Sequence, residues 1–201
     1  MGGHDVVGAF DDGGVASVLD VPVLAPPLET DLRRHRVEGL APAVGSAATR
    51  RDWFERLSHA FKFVAVVHPS ASVSPTSQIG PGAFVGPGAV VHTLAVVGAC
   101  SIINSGAIVE HDVRVGAFSH VAPGTVLCGG VQVGVGALVG AGSRAVPMVR
   151  IGDWATVGAG AVVLEDVPSG ERWAGVPAQP LESSRPFNPE ADSQRLKRRD
   201  R

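Results

Sequence analysis

Residues 67–102, written in groups of six, read VHPSAS VSPTSQ IGPGAF VGPGAV VHTLAV VGACSI. Each group opens on Val or Ile, and its fifth residue is Ala or Ser. The register continues without insertion through Ile103, Val109, Val115, Val121, Leu127 and Val133 to Val163. The small or β-branched residue four places on continues with it, through Ala107, Val113, Ser119 and Thr125 to Val167. A glycine often follows the aliphatic residue directly, as at Gly80, Gly98, Gly116 and Gly134. A period of six fits neither a helix nor an ordinary hairpin. It is the signature of hexapeptide repeats wound into a parallel β-helix. Each hexad then forms one short flat side, with its aliphatic and small residues inward and Gly, Pro or Asn at the corners. Three sides make a coil of 18 residues, so the stretch predicts just under six coils around a column of Val and Ile.

Composition agrees with a narrow core. The 201 residues are 45% hydrophobic but only 5% aromatic, with 26 Gly and no Tyr. A wide globular core draws on large aromatics; a slender prism needs Val, Ile and Ala. The net charge of −2 gives no reason to expect nucleic acid or an anionic membrane as partner. The Val-rich runs are broken by Gly, Pro, His or charge too often to span a bilayer, and no signal peptide opens the chain. Cys100 and Cys128 occupy different hexad positions, so a designed disulfide is not expected and a reducing cytoplasm is the default.

Residues 1–62 read as a small α/β unit, 63–181 as the β-helix and 182–201 as a disordered polar tail. Val6–Phe10 is a short strand ending in the turn Asp11-Asp12-Gly13-Gly14, and Val21–Leu24 is a second extended piece. A weak helix follows over 29–37, then a third apolar run over 39–44. Ser46 is placed to cap the next helix. Trp53, Phe54, Leu57 and Phe61 share one face of that helix, with Arg50, Arg51, Asp52 and Glu55 mostly off it.

Glu110-His111-Asp112 breaks the bland repeat with three titratable residues in a row. An imidazole beside carboxylates is held in one tautomer and suits a general base. An exposed turn histidine with solvated acids is the other reading. His120 follows nine residues later, and Asn104 lies one hexad before Glu110. His68 and His92 sit at corner-like positions without acidic neighbours. The histidine spacings do not suit a zinc site of the kind found in hexapeptide-repeat carbonic anhydrases, so no metal is expected.

The ordered set Ile103–Asp112, then Gly116-Ala117-Phe118-Ser119-His120, then Gly175-Val176-Pro177-Ala178 resembles the sugar O-acyltransferase family of the sialic acid O-acetyltransferase type. That family includes the UDP-4-amino-sugar N-acetyltransferases of bacillosamine synthesis. The resemblance covers roughly residues 5–181. It implies a mainly β fold, a left-handed β-helix preceded by a partial, Rossmann-like substrate-binding unit. It also implies a homotrimer with acetyl-CoA in the cleft between adjacent helices. It assigns His111 as the base and Asp112 as the acid beside it. His120 contacts acetyl-CoA, and Ala141 and Ala159 touch the CoA arm through their backbone. Asn104 lies near the acceptor, and Asp11, Asp12 and Gly45 contact a nucleotide sugar.

Two departures accompany the resemblance. Val6–Phe10 matches the family's second strand, so the strand, Gly-rich turn and helix that hold a diphosphate do not precede it. The expectation is a truncated start or an acceptor other than a nucleotide sugar, with UDP-sugars bound weakly. Gln179 stands where many hexapeptide acyltransferases place Lys or Arg. The resemblance implies an acetyl-CoA-dependent transfer to a sugar amine or hydroxyl. The alternative is a catalytically weak trimeric scaffold or binding homologue.

Overall fold

The computed structural model describes residues 6–10, 17–18, 21–24 and 29–181. Asp11, Asp12 and the tail from Glu182 lie outside the described residues.

Between Val66 and Val163 the chain forms short strands that pair in parallel, each with the strand one coil on. Val91 stands beside Val109, Val97 beside Val115 and Ile103 beside Val121, so the coil is 18 residues. Three sheets result. The first face begins with Val66–Val67 and Phe84–Val85 and includes His120–Val121; the second includes Val90–Val91 and Ile108–Val109; the third includes Val96–Val97 and Arg114–Val115. The whole is a left-handed parallel β-helix of triangular section.

The inward rows are those expected from the repeat. Val85, Ile103, Val109, Val121, Leu127 and Val139 are fully buried, and so are Ala83, Ala107 and Val113. Each hidden aliphatic side chain stabilises the column by about 1.5–3 kcal/mol. The first coil departs from this. Val67 remains 42% exposed, and Val73 and Ile79 are only partly covered, because among the described residues no coil lies beneath them. Serines at inward positions are satisfied locally: Ser101, Ser119 and Ser143 each donate to the carbonyl three residues back, at 2.7 Å. That bond removes the penalty of burying a hydroxyl.

The glycines do two different jobs, where the repeat suggested only corner turning. Gly124, with φ +68°, makes a left-handed turn. Gly116, directly after an inward valine, has no such conformation. A Cβ there would lie 2.6 Å from the carbonyl carbon of Gly134 in the next coil, so the close approach of the two coils at this corner leaves no room for a side chain.

The last coil is shorter: Val157 pairs with Trp173 and Ile151 bridges to Val167, 16 residues on in each case. Trp173, 7% exposed, then closes the column, and Arg172–Ala174 folds back antiparallel onto Gln179–Pro180.

In the N-terminal unit, Ala9–Phe10 runs parallel to Val21–Leu24, and Ser17–Val18 pairs antiparallel with the latter. The first strand is therefore shorter than the apolar run Val6–Phe10, with Val6 and Val7 exposed. Helix α1 (Glu29–Arg34) stops short of the expected end at Val37. Gly39–Leu40 pairs in parallel with Lys62–Phe63 across helix α2 (Ala47–Leu57), a small βαβ crossover. Ser46 caps α2 as expected, its hydroxyl accepting from the Thr49 N–H at 3.2 Å.

Helix α2 docks on the vertex between the third and first faces. Cys100, Phe118 and Trp154 occupy that row with positive φ, where glycine is the usual occupant. Each such residue costs about 1–2 kcal/mol. Their side chains offset the strain by making the docking surface. Phe54 meets Phe63 and Phe118 edge to face, at 4.9 and 5.9 Å between centroids. The Arg51 guanidinium lies over the Trp154 ring at 4.9 Å. Arg50, expected mostly off the packed face, is instead completely buried.

Candidate active site

His111 and Asp112 form the turn between Ile108–Val109 and Arg114–Val115, on the vertex between the second and third faces. Asp112 has φ 60°, one of the few non-glycine residues to turn a corner left-handed. Its short carboxylate tolerates that conformation and reaches back to the imidazole, with His111 Nδ1 2.8 Å from Asp112 Oδ2. A carboxylate only accepts, so Nδ1 carries the hydrogen, and in the neutral ring the lone pair is then on Nε2. Of the two neighbouring acids, Asp112 and not Glu110 makes this bond. Both bonded side chains are more than half exposed.

The ring is cradled by the next coil. A Cβ placed on Gly129 would lie 2.6 Å from His111 Cε1 and 2.7 Å from Nε2. Gly129→Ala is therefore expected to push the ring off its seat and away from Asp112. Turnover should fall by about 100-fold, since a displacement near 1 Å is that costly. The melting temperature should hardly move, because the ring is at the surface. Steady-state kinetics alongside a thermal melt checks both halves.

His120 points outward from the first face, half-buried. The Ser105 N–H donates to Asn104 Oδ1 at 2.8 Å, which turns Asn104 Nδ2 toward His120 Nε2 at 3.0 Å. The amide donates there, so His120 accepts at Nε2 and is neutral, with its hydrogen on Nδ1. Burial, and secondarily the Arg50 charge, push its pKa down to about 4. Between that value and the ordinary 6.5 the unfolded chain binds the extra proton. Stability from this site is thus full above about pH 6.5 and lost as the pH falls through 4. Wild-type melting temperature should drop across that interval more steeply than that of His120→Gln.

Ala141 and Ala159 are exposed on the edge between the first and second faces, each just before a left-handed glycine. They stand in the same vertical row as Ser105, beside Asn104. Gly45 is exposed immediately before the α2 cap, and its carbonyl accepts from Arg50 Nη1 at 2.6 Å. An apolar hollow of about 170 Å³ lies close by, lined by Ala9, Leu40, Pro42, Val44, Trp53 and Leu57.

Besides Gly45 in the N-terminal unit, the described site residues fall into two groups on the β-helix. Asn104, His120, Ala141 and Ala159 share the first face and its edge, while His111 and Asp112 occupy the vertex opposite that face. Two residues escaped the sequence reading. Gly129 looks like any other turn glycine. Arg50 carried a signal: it lies four and seven residues before Phe54 and Leu57, on their face of the helix.

No protein-family model and no curated protein sequence matches the chain. Solved structures do. The acetyltransferase domain of PglB from Neisseria gonorrhoeae is 35% identical, with a TM-score of 0.80, over 86% of this chain and 85% of that one. It has also been solved with acetyl coenzyme A. Perosamine N-acetyltransferase from Caulobacter crescentus, in complex with CoA and GDP-perosamine, is 39% identical, with a TM-score of 0.80, over 83% of this chain and 82% of that one. A variant of the same enzyme with the same ligands gives 37% identity and a TM-score of 0.84 over 88% and 85%.

Proposed function

This chain belongs to the hexapeptide-repeat sugar acetyltransferases, and we propose that His111 and Asp112 perform its chemistry in a cleft completed by a second copy. It is an acetyl-CoA-dependent enzyme that transfers acetyl to an amine or hydroxyl of a sugar or nucleotide sugar. The observation that carries the residue assignment is the Nδ1–Asp112 bond, which leaves Nε2 free above Gly129.

His111 Nε2 takes the proton from the acceptor nitrogen or oxygen as that atom attacks the thioester carbonyl carbon. Asp112 holds the tautomer and stabilises the imidazolium that forms. The carbon–sulfur bond breaks, the sulfur leaves with its electron pair, and the imidazolium returns a proton to it. No covalent enzyme intermediate is required. Holding donor and acceptor together supplies much of the acceleration. His120, neutral and with an N–H to give, serves the donor side with the backbone at Ala141 and Ala159. Asn104 and Gly45 serve the acceptor, and so do Asp11 and Asp12. The unit 1–62 holds the nucleotide at the carboxyl end of Gly39–Leu40, where the hollow beside Gly45 opens.

A homotrimer reconciles the two groups of residues. Outward rows on the first face (Phe84, Ile102 and Leu138, interrupted by His120) and second face (Val90, Ile108, Val126 and Val162, interrupted by Arg144) are mainly apolar, whereas the third shows Gln78, Arg114, Gln132 and Arg150 around Val96. The two apolar faces suit contact with neighbouring copies. The second face ends at His111, so its contact with a neighbour's first face brings His111 to that neighbour's His120 and Asn104. Among the described residues no helix is long and apolar enough to cross a membrane. We place the enzyme in the cytoplasm, with its acetyl-CoA.

We take the acceptor to be a nucleotide-linked amino sugar. Support comes from the Caulobacter relative, solved with GDP-perosamine. The test is acetyl-CoA turnover against a panel of UDP- and GDP-linked 4-amino sugars, with the product identified by mass spectrometry. One acceptor should be converted to its N-acetyl form. Tight acetyl-CoA binding without turnover of any amino sugar would favour the scaffold reading instead.

A further inference from the structure

Arg50 is a cation in an unusual place. Its side chain is fully buried, and its guanidinium donates to five main-chain carbonyls and, among the described residues, to no carboxylate. Two of them, Val44 (2.8 Å) and Gly45 (2.6 Å), belong to the loop before α2. The other three belong to two successive coils of the β-helix: Cys100 (2.7 Å) below, and Phe118 and Ser119 (3.2 Å) above. Phe118 and Ser119 are the residues immediately before His120. One rigid fork therefore spans the loop beside the hollow and the strand that presents His120.

Stability alone does not call for this arrangement. Desolvating a guanidinium is expensive, and well-packed apolar side chains in such positions are commonly as stable or more so. Phe54, Phe63 and Phe118 already pack together as an apolar cluster between α2 and the β-helix. What an apolar residue lacks is the directional fork, whose planar donors fix three segments at once.

We propose that Arg50 is a positioning residue that couples the acceptor loop Val44–Gly45 to the strand presenting His120 on the donor side. The proposal rests on the assignment of Gly45 to the acceptor and His120 to the donor given above. Occupancy on either side then steadies the other through one side chain. The fall in the pKa of Arg50 to about 10, caused chiefly by burial, is consistent with a cation held for geometry. Its charge also adds to the forces that keep His120 neutral.

Hydrogen exchange on the intact wild-type protein, with CoA alone as the probe, tests this without depending on any variant. CoA should slow exchange at the amides of 118–122, and several-fold also at 44–50, which the donor does not touch. In Arg50→Lys, which keeps the charge but not the fork, the first effect should persist and the second disappear. The Michaelis constant for the acceptor should then rise about 10-fold with a smaller change in kcat. Protection confined to 118–122 in the wild type would overturn the coupling, and so would protection of 44–50 that survives Arg50→Lys. An absence of protection at 118–122 would instead count against the donor assignment of His120.

Discussion

Replacing His111 with alanine should lower kcat by on the order of 10²–10⁴ while leaving the fold and its assembly unchanged. The imidazole is at the surface of a turn, and the column beneath it, Val109, Val113 and Leu127, is complete without it. No other described group stands ready to replace it. His120 of the neighbouring copy shares the cleft, but its Nε2 already accepts from Asn104. Asp112→Asn should be the milder change, because it removes the orienting carboxylate and its charge but leaves the imidazole on its seat over Gly129. Circular dichroism and light scattering would show intact protein in both variants. Near-wild-type turnover by His111→Ala would remove the base from the mechanism.

The second large effect concerns the coil spacing. Gly116→Val should cost at least about 3 kcal/mol and prevent recovery of folded protein at ordinary growth temperature. The three atoms nearest the new Cβ all belong to the backbone of the coil above: the Gly134 carbonyl carbon at 2.6 Å, the Val135 nitrogen at 2.7 Å and the Gly134 oxygen at 2.8 Å. No side chain can swing aside to make room. Gly124→Ala is the matched control. Its φ of +68° penalises a side chain, but nothing lies within 4 Å of the added atom. It should cost only about 1–2 kcal/mol. Denaturant unfolding of the pair separates close approach from backbone conformation, and equal losses would show that spacing is not the reason for Gly116.

The β-helix was legible because its physics is local and repeated. A residue such as Val109 faces inward because it opens a hexad, and its neighbours at Val91 and Leu127 do the same one coil away. The period ends where that logic ends: Trp173 closes the column at a 16-residue step which the hexads did not foretell. The open first coil was equally invisible, since burial of Val67 depends on a coil beneath it, and none lies there among the described residues. The His111–Asp112 pair could be read from adjacency, because neighbours at a turn meet whatever the rest of the chain does. The pairing of Asn104 with His120 spans a coil boundary, and only the register fixes it. Arg50 was misjudged for a different reason. Charge argued for solvent, while the helical period placed it with Phe54 and Leu57; the carbonyls that receive it lie on coils 50 and more residues away.

The assembly of the site from two copies can be tested directly by mixing two inactive forms. His111→Ala disables the vertex and leaves the first face intact. A double variant, Asn104→Ala with His120→Ala, disables the face and leaves the vertex intact. Co-expressed in equal amounts, the two chains form hybrid trimers, and random assembly puts a sound vertex against a sound face in about a quarter of the clefts. Activity should therefore return to about a quarter of the wild-type value, although each form alone is nearly inert. Hybrid trimers with no more activity than the average of the two parents would show that His111 does not work across a junction with His120 and Asn104 of its neighbour.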